Sequence, residues 1–320
     1  MAKTMESRTA WRSATASDPG RMRADNQDRA YADDELGIFL VVDGLGGHAA
    51  GEKAAETAVE VVCAEIANSH GDARDRIRGA ITAANNRIFE EAAENETWRG
   101  MACVLTLAVI EEDRVIVGHV GDSRLYLTWN GAIRKLTSDH SPVGEREDAG
   151  DLTEAEAMAH PRRHEVFRDV GSRRRAPDEE DFIEVKEFLF KPDAAILLCS
   201  DGLSDLLTST EILEVIERYN GDPSDVAHQL VEAANLAGGS DNITAIFVAG
   251  SEFLGVASPA AAEARARNAI TKAREGLEQA TPSKVALVLT SRIAFLVYGF
   301  VLGTVLALAG MALGLRWPKP

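Results

Sequence analysis

Four apolar, strand-like runs in this 320-residue chain each meet an aspartate at one end, and that recurrence restricts the fold more than any other feature. Residues 37–42 (GIFLVV) run into Asp43-Gly44, and 114–120 (RVIVGHV) reach Asp122 across one glycine. Residues 194–199 (AAILLC) lead through Ser200 to Asp201-Gly202, and Asp241-Asn242 precedes 243–249 (ITAIFVA). Short β-branched runs bounded by turn residues predict buried strands. A single Asp-Gly is most often only a turn. Four carboxylates at strand mouths are different, because clustered carboxylates repel and raise each other's pKa unless a cation lies among them. Oxygen donors suit magnesium or manganese, and no Cys/His cluster with zinc spacing competes.

The remaining pattern fills in an α+β chain. Ala-rich segments at 52–67 and 73–93 predict a helix pair joined at His70-Gly71. Strands at 101–110, 114–120 and 124–129 follow, the last opening a hairpin at Asn130-Gly131, a strong turn signal. Helices are expected at 211–219 and 224–237, between the strands at 194–199 and 243–249. Strands in antiparallel clusters with helices in pairs argue against a doubly wound parallel sheet.

Charge divides the chain. Of its 34 Lys/Arg and 51 Asp/Glu, 8 and 3 fall at or after residue 253, so the preceding part holds 26 and 48 and carries a formal charge of −22. Such a surface repels phosphate backbones, which excludes a general nucleic-acid binder. Three cysteines, Cys63, Cys103 and Cys199, cannot build a disulfide framework, so a reducing compartment is expected, and MAKTMESRTA lacks the apolar core of a signal peptide. Residues 293–315 are 23 residues without a charge, about 34 Å as a helix and long enough to span a hydrocarbon core. Lys272, Arg274, Lys284 and Arg292 precede this run while Arg316 and Lys319 follow it, which predicts a cytoplasmic N-terminal part. The expected organisation is a catalytic domain over 1–252, a helical juxtamembrane spacer over 253–292, a transmembrane helix over 293–315 acting as a tail anchor, and a short tail over 316–320.

The aspartates belong to a larger ordered set: Arg23-Ala24-Asp25-Asn26-Gln27-Asp28, DGLGGHAAG at 43–51, GDSR at 121–124, LTSDHS at 136–141, SDGLSD at 200–205 and SDNIT at 240–244. These six segments resemble the metal-dependent serine/threonine protein phosphatases of the type 2C family in their bacterial form, over about three quarters of the chain. The resemblance implies a central pair of antiparallel sheets with helix pairs on both outer faces. It implies two or three divalent ions, manganese or magnesium. Asp43 would bridge two metals, the carbonyl of Gly44 would join one, Asp201 and Asp241 would hold the other, and Asp122 with Asp201 would support a third. Asp28 and Gln27 would reach metal-bound waters, and residues 139–171 would form a mobile flap, with Gly144 and Gly150 as points of flexibility. The family usually has Gly-Thr-Thr where this chain has Ala102-Cys103-Val104, and commonly Asn-Val-x-Thr-Arg where it has His164-Glu165-Val166-Phe167-Arg168.

The expected reaction is hydrolysis of phosphoserine and phosphothreonine in proteins by a metal-bridging hydroxide, since paired cations create a nucleophile near neutral pH and neutralise phosphoryl oxygens. Arg23 is the candidate phosphate clamp, because guanidinium binds two phosphate oxygens in a fork. His48 is the nearest candidate acid for the leaving group, though an isolated histidine is as often structural. The basic trio Arg173-Arg174-Arg175 is read as a solvated run. Two other functions stay open: a catalytically silent phosphoprotein-binding scaffold on the same fold, and a hydrolase of small phosphate esters. Expected partners are phosphorylated proteins, above all a membrane-associated serine/threonine kinase or its substrates, at the cytoplasmic face of the inner membrane.

Overall fold

Alternate residues of the apolar runs face different cores, and this explains why they are apolar throughout. In the computed structural model, which describes residues 10–46, 48–176 and 178–255, Phe39 and Val41 face one cluster while Ile38, Leu40 and Val42 face another. Likewise Ile196 and Leu198 point one way and Leu197 and Cys199 the other. Strands buried on both faces read as continuous hydrophobic runs rather than alternating ones.

The elements run β1 (Trp11–Asp18), β2 (Arg29–Asp33), β3 (Ile38–Leu45), α1 (His48–Asn68), α2 (Ala73–Glu94), β4 (Ala102–Glu111), β5 (Arg114–Val120), β6 (Arg124–Trp129) and β7 (Ala132–Lys135). They continue with α3 (Pro142–Asp148), α4 (Glu154–Met158), β8 (Glu184–Leu189), β9 (Ala195–Cys199), α5 (Asp201–Ser204), α6 (Ser209–Ile216), α7 (Pro223–Leu236) and β10 (Ile243–Gly250). Two five-stranded sheets result, ordered β1-β10-β9-β6-β7 and β2-β3-β4-β5-β8, with every strand pair antiparallel. Side chains such as Phe39, Ala108, Leu125, Ile196 and Ile246 fill the space between the sheets. Helices α1 and α2 cover one outer face through Val62, Ile77 and Ile81, and α6 and α7 cover the other through Ile212, Leu230 and Ala234. The expected α+β sandwich of paired antiparallel sheets and helix pairs is the observed fold.

Several expectations change in detail. Strand β3 does not stop at Val42: Asp43 pairs with Val104 and Gly44 with Cys103, so the Asp-Gly pair is the end of the strand rather than a turn beyond it. Asn130 and Gly131 both take positive φ, 52° and 71°, as a tight hairpin requires. Within the expected flap, Ser141 caps α3 and Thr153 with Glu156 forms the capping box of α4. Gly144 is a buried residue of α3 packed against Asp139. The core also extends past the expected boundary at 252, because the Phe253 ring packs 5.4 Å from Tyr219 and 6.0 Å from Phe247. The described residues all fall in the compact unit Met1–Ala262, and none of their helices is long and apolar enough to cross a membrane. The spacer beyond Gly255 and the 293–315 run lie outside the described residues.

One buried ionic cluster ties the flap to the sheets. The Arg124 guanidinium, at the start of β6, donates to Asp139 at 2.6 Å and to Glu147 of α3 at 2.8 Å. Lys135 of β7 adds contacts to Asp148 at 2.9 Å and Asp139 at 3.5 Å. Burial pushes the Asp139 carboxyl up, but Arg124 and Lys135 outweigh it and hold it below the usual carboxylate range. Removing one partner of a buried pair leaves an uncompensated charge, so Arg124→Ala should destabilise the protein by about 3–5 kcal/mol in urea unfolding. A loss below about 1 kcal/mol would show that the cluster is solvated and does not restrain the flap.

Candidate metal centre

The aspartates reach one place because three chain segments are stitched together around the mouths of β3, β9 and β10. Asn242, just before β10, accepts from the Gln27 backbone N–H at 2.8 Å. Its amide also donates to the carbonyls of Pro19 at 3.0 Å and Asp25 at 2.8 Å. The loop carrying Arg23 and Asp28 is thereby pinned beside Asp241. Ser200 joins β9 to the same point, its hydroxyl donating to Asp28 Oδ2 at 2.7 Å and accepting from the Thr244 N–H at 3.0 Å. That role explains why Ser200, although at the N-cap position of α5, makes no capping bond with its side chain.

Two glycines permit the close approach. A Cβ on Gly44 would lie 2.2 Å from the Gly51 carbonyl oxygen, and one on Gly202 would lie 2.0 Å from that of Asn242. Only glycine lets backbone meet backbone at these points. The glycine after Asp43 and the glycine after Asp201 thus set how near their aspartates come to the rest of the cluster.

The resulting electrostatics are strongly unfavourable for bare carboxylates. Burial, with the charges of Asp28, Asp201, Asp122 and Asp241, lifts the Asp43 carboxyl well above its usual range. Burial, with Asp201, Asp139 and Asp205, does the same to Asp122. Asp28, only 3% exposed, is pushed up to about 7 by burial, with Asp201 and Asp241 adding to the rise. Asp205, one helical turn after Asp201, is also raised to about 7 by burial and the Asp201 charge. Asp28 Oδ1 and Asp201 Oδ1 are buried without a hydrogen-bond partner. Orphaned carboxylate oxygens in an all-oxygen donor set fit hard divalent cations such as magnesium or manganese.

The other expected residues fall around this cluster. Arg23 is half exposed at its rim and donates from Nη2 to Asp241 Oδ2 at 2.7 Å. His48 begins α1, but its side chain lies outside what the structure describes. Arg173 and Arg174 are exposed, as a solvated run would be, and pair with Glu179 and Glu90, while Arg175 is buried against Glu179. Two residues at the cluster were not expected there. His164, in the turn after α4, sets Nδ1 3.3 Å from Asp205 Oδ2 and 3.8 Å from Asp201 Oδ2, and those two carboxylates raise its imidazole pKa. Asp205 had a visible signal, since it lies four residues from Asp201 and so on the same helix face. His164 had only its place in the segment that departs from the family pattern, because its approach depends on the path of the flap.

Comparison with other proteins agrees with this geometry. A family model for protein phosphatase 2C matches residues 21–233. The chain is 33% identical over 241 residues to the serine/threonine phosphatase Stp of Listeria monocytogenes, covering 72% of this chain and 92% of that protein. It is 33% identical over 236 residues to the serine/threonine protein phosphatase PstP of Mycobacterium tuberculosis, covering 73% of this chain and 44% of that longer protein. The crystal structure of the M. tuberculosis phosphatase PstP/Ppp superposes with a TM-score of 0.67 at 32% identity, covering 75% of this chain and 98% of that one. The PstP catalytic domain has also been solved with two manganese ions, at a TM-score of 0.64 and 30% identity over 75% of this chain and 97% of that one. With its acidic centre set at the mouths of two antiparallel sheets and these relatives spanning the same segments, the chain belongs to the protein phosphatase 2C family of serine/threonine phosphatases.

Proposed function

We propose that this chain hydrolyses phosphoserine and phosphothreonine in proteins, using two or three manganese or magnesium ions held by Asp43, the Gly44 carbonyl, Asp201, Asp241 and Asp122. The observation that carries this reading is the convergence of buried, mutually repelling carboxylates on a point where two of their oxygens lack any partner. Bound there, the cations acidify a water and neutralise the phosphoryl oxygens.

The chain's own residues then have distinct tasks. The two-sheet scaffold and the Asn242 and Ser200 hydrogen bonds keep the donors in place before substrate arrives, so little reorganisation is left for the reaction. Asp28, anchored through Oδ2 by Ser200, keeps Oδ1 available to orient a water. Arg23 offers its fork to the phosphate once substrate draws it from Asp241. His48, at the head of α1, is our candidate for the proton donor to the departing serine or threonine oxygen. The formal charge of −22 over residues 1–252 disfavours a phosphate-backbone partner.

We further propose that the uncharged 293–315 run inserts in the inner membrane and holds the catalytic part at its cytoplasmic face. Supporting this are its length and the basic residues before it. Tethering raises the effective concentration toward membrane-bound phosphoproteins, a membrane-associated serine/threonine kinase or its substrates among them.

With a phosphothreonine peptide, phosphate release should require added manganese or magnesium. Asp43→Asn and Asp241→Asn should each lower turnover by at least about a hundredfold. Full activity in excess chelator would exclude metal-dependent hydrolysis, and no release under any metal would favour the silent scaffold.

Arg23→Ala should raise the Michaelis constant by about tenfold to a hundredfold while turnover changes little, as expected for a clamp that binds ground and transition states alike. A collapse of turnover at constant Michaelis constant would assign Arg23 to the transition state.

The full chain should float with membranes on a density gradient. A truncation after Gly255, which keeps Phe253 in the core, should stay in the soluble fraction and match the full chain on free phosphopeptide. Equal flotation of the two would remove the anchor.

A further inference from the structure

The two sheets end together at β7 and β8, and each of these strands has a hydrogen-bonded neighbour on one side only. Toward the metal centre this edge is stitched shut. Lys186 donates to the Leu136 carbonyl at 3.2 Å and to the Ser138 hydroxyl at 3.0 Å, and the Ser138 N–H donates to Glu184 at 3.1 Å. At the other end the edge gapes. A cleft of about 360 Å³ opens there, in which Leu127, Trp129 and Phe188 bring the core between the sheets to the surface. Leu189, which also lines it, is 51% exposed. Two cations border the same cleft: Lys191 Nζ sits 3.8 Å from the centroid of the Trp129 ring, and the Arg134 guanidinium 5.6 Å from that of Phe188. Neither makes an ion pair with a described residue, although acids outnumber bases 48 to 26 over residues 1–252. The adjacent carboxylates are committed elsewhere. Asp193 accepts from Trp129 Nε1 at 3.0 Å, and Glu187 meets Arg74 at 2.9 Å and Arg114 at 3.1 Å.

We propose that this cleft docks an extended acidic segment of a partner protein, one that carries a bulky apolar residue among its carboxylates. A strand edge with unpaired N–H and C=O groups binds an extended chain by adding it as a further strand, and pockets for alternate side chains supply the specificity. The four residues of β7 and the six of β8 suit a segment of about the same length. The aromatic and aliphatic lining takes the apolar anchor. Arg134 and Lys191 take the carboxylates, which the acidic body repels elsewhere. A slot between two strand edges admits a single strand and not the rounded surface of a folded domain. The cleft is also remote from the reaction. Strand β6 starts at Arg124, beneath the flap, and ends at Trp129, so its six residues separate the two by about 17 Å. A docked segment therefore leaves the metal centre open, and its binding needs neither metal nor phosphate.

The test pans a displayed library of random twelve-residue peptides against the immobilised full chain, then titrates fluorescent copies of the recovered peptides by anisotropy. The recovered family should be rich in Asp and Glu around a bulky apolar residue. The double variant Arg134→Glu/Lys191→Glu should raise the dissociation constant of those peptides about tenfold or more. Leu189→Ser, at a half-exposed position where folding is little affected, should weaken them severalfold, and so should raising salt from about 50 to about 500 mM. Both variants should melt within about 2 °C of wild type and release phosphate from a short phosphopeptide at the wild-type rate. Recovery of no peptide family, of a basic or uncharged one, or of peptides whose affinity the charge reversal leaves unchanged would each overturn the proposal. The two cations would then be edge protection against strand pairing. Self-association of the full chain that the same variants abolish would assign the cleft to a second copy and overturn it as well. Because binding is read without turnover, its failure leaves the phosphatase reading standing, and an inactive chain that still binds these peptides leaves the cleft standing.

Discussion

Asp28, Asp43, Asp122, Asp201, Asp205 and Asp241 converge on one region, and their mutual repulsion is the interaction around which the molecule is arranged. No local preference brings six carboxylates together. They arrive there because the strands that carry or adjoin them are buried on both faces and cannot shift register without exposing Phe39, Leu40, Ile196 or Leu197. The hydrophobic energy of two sheets and two helix pairs thus holds in place a centre that is unfavourable by itself. Gly44 and Gly202 remove the last steric obstacle, and Asn242 and Ser200 fix the loops between strands. A cation converts the same cluster from a source of strain into a binding site.

Positive charge is distributed around the centre without entering it. Arg23 approaches Asp241 from the exposed rim. Arg124 and Lys135 lie inside, beneath the flap, and pair with Asp139, Glu147 and Asp148, offsetting part of the charge that Asp139 sets beside Asp122. One guanidinium thus stays accessible at the rim and the other is enclosed among carboxylates. The flap's contacts reach both regions, through Glu147 to Arg124 and through Arg163 and His164 to Asp205.

The parts of the fold visible in the amino-acid sequence are those with a strong local signature. The doubly buried strands, the Asn130-Gly131 hairpin, the Thr153 capping box and both long Ala-rich helices all have one. Strands β1, β2 and β8 do not. They lie at sheet edges, are only partly buried, and read as mixed polar segments whose strand identity comes from the neighbour they pair with. Helix α3 was hidden in a charged, glycine-containing stretch because its acidic residues serve Arg124 and Lys135 rather than solvent. At the centre, ordered motifs pointed to Asp28, Asp43, Asp122, Asp201 and Asp241. Ser200, Asn242 and His164 lie in segments the sequence singles out, but their roles are not legible there because their contribution is contact across long stretches of chain.

Thermal unfolding of wild type and Asp28→Asn, in chelator and in excess manganese across pH 5 to 8, tests the central claim that these carboxylates are held together for a cation. The Asp28 carboxyl is raised from 3.8 to about 7 in the fold, so the stability it contributes when protonated is lost as pH climbs through that interval. In chelator, Asp28→Asn should therefore gain on wild type as pH rises, with the full margin reached above about pH 7. Manganese at a hundredfold its dissociation constant should stabilise wild type by about 2.7 kcal/mol, a rise of several degrees, and should reverse the wild-type deficit. A wild-type melting temperature indifferent to manganese, with no pH-dependent gain for the asparagine variant, would contradict the account.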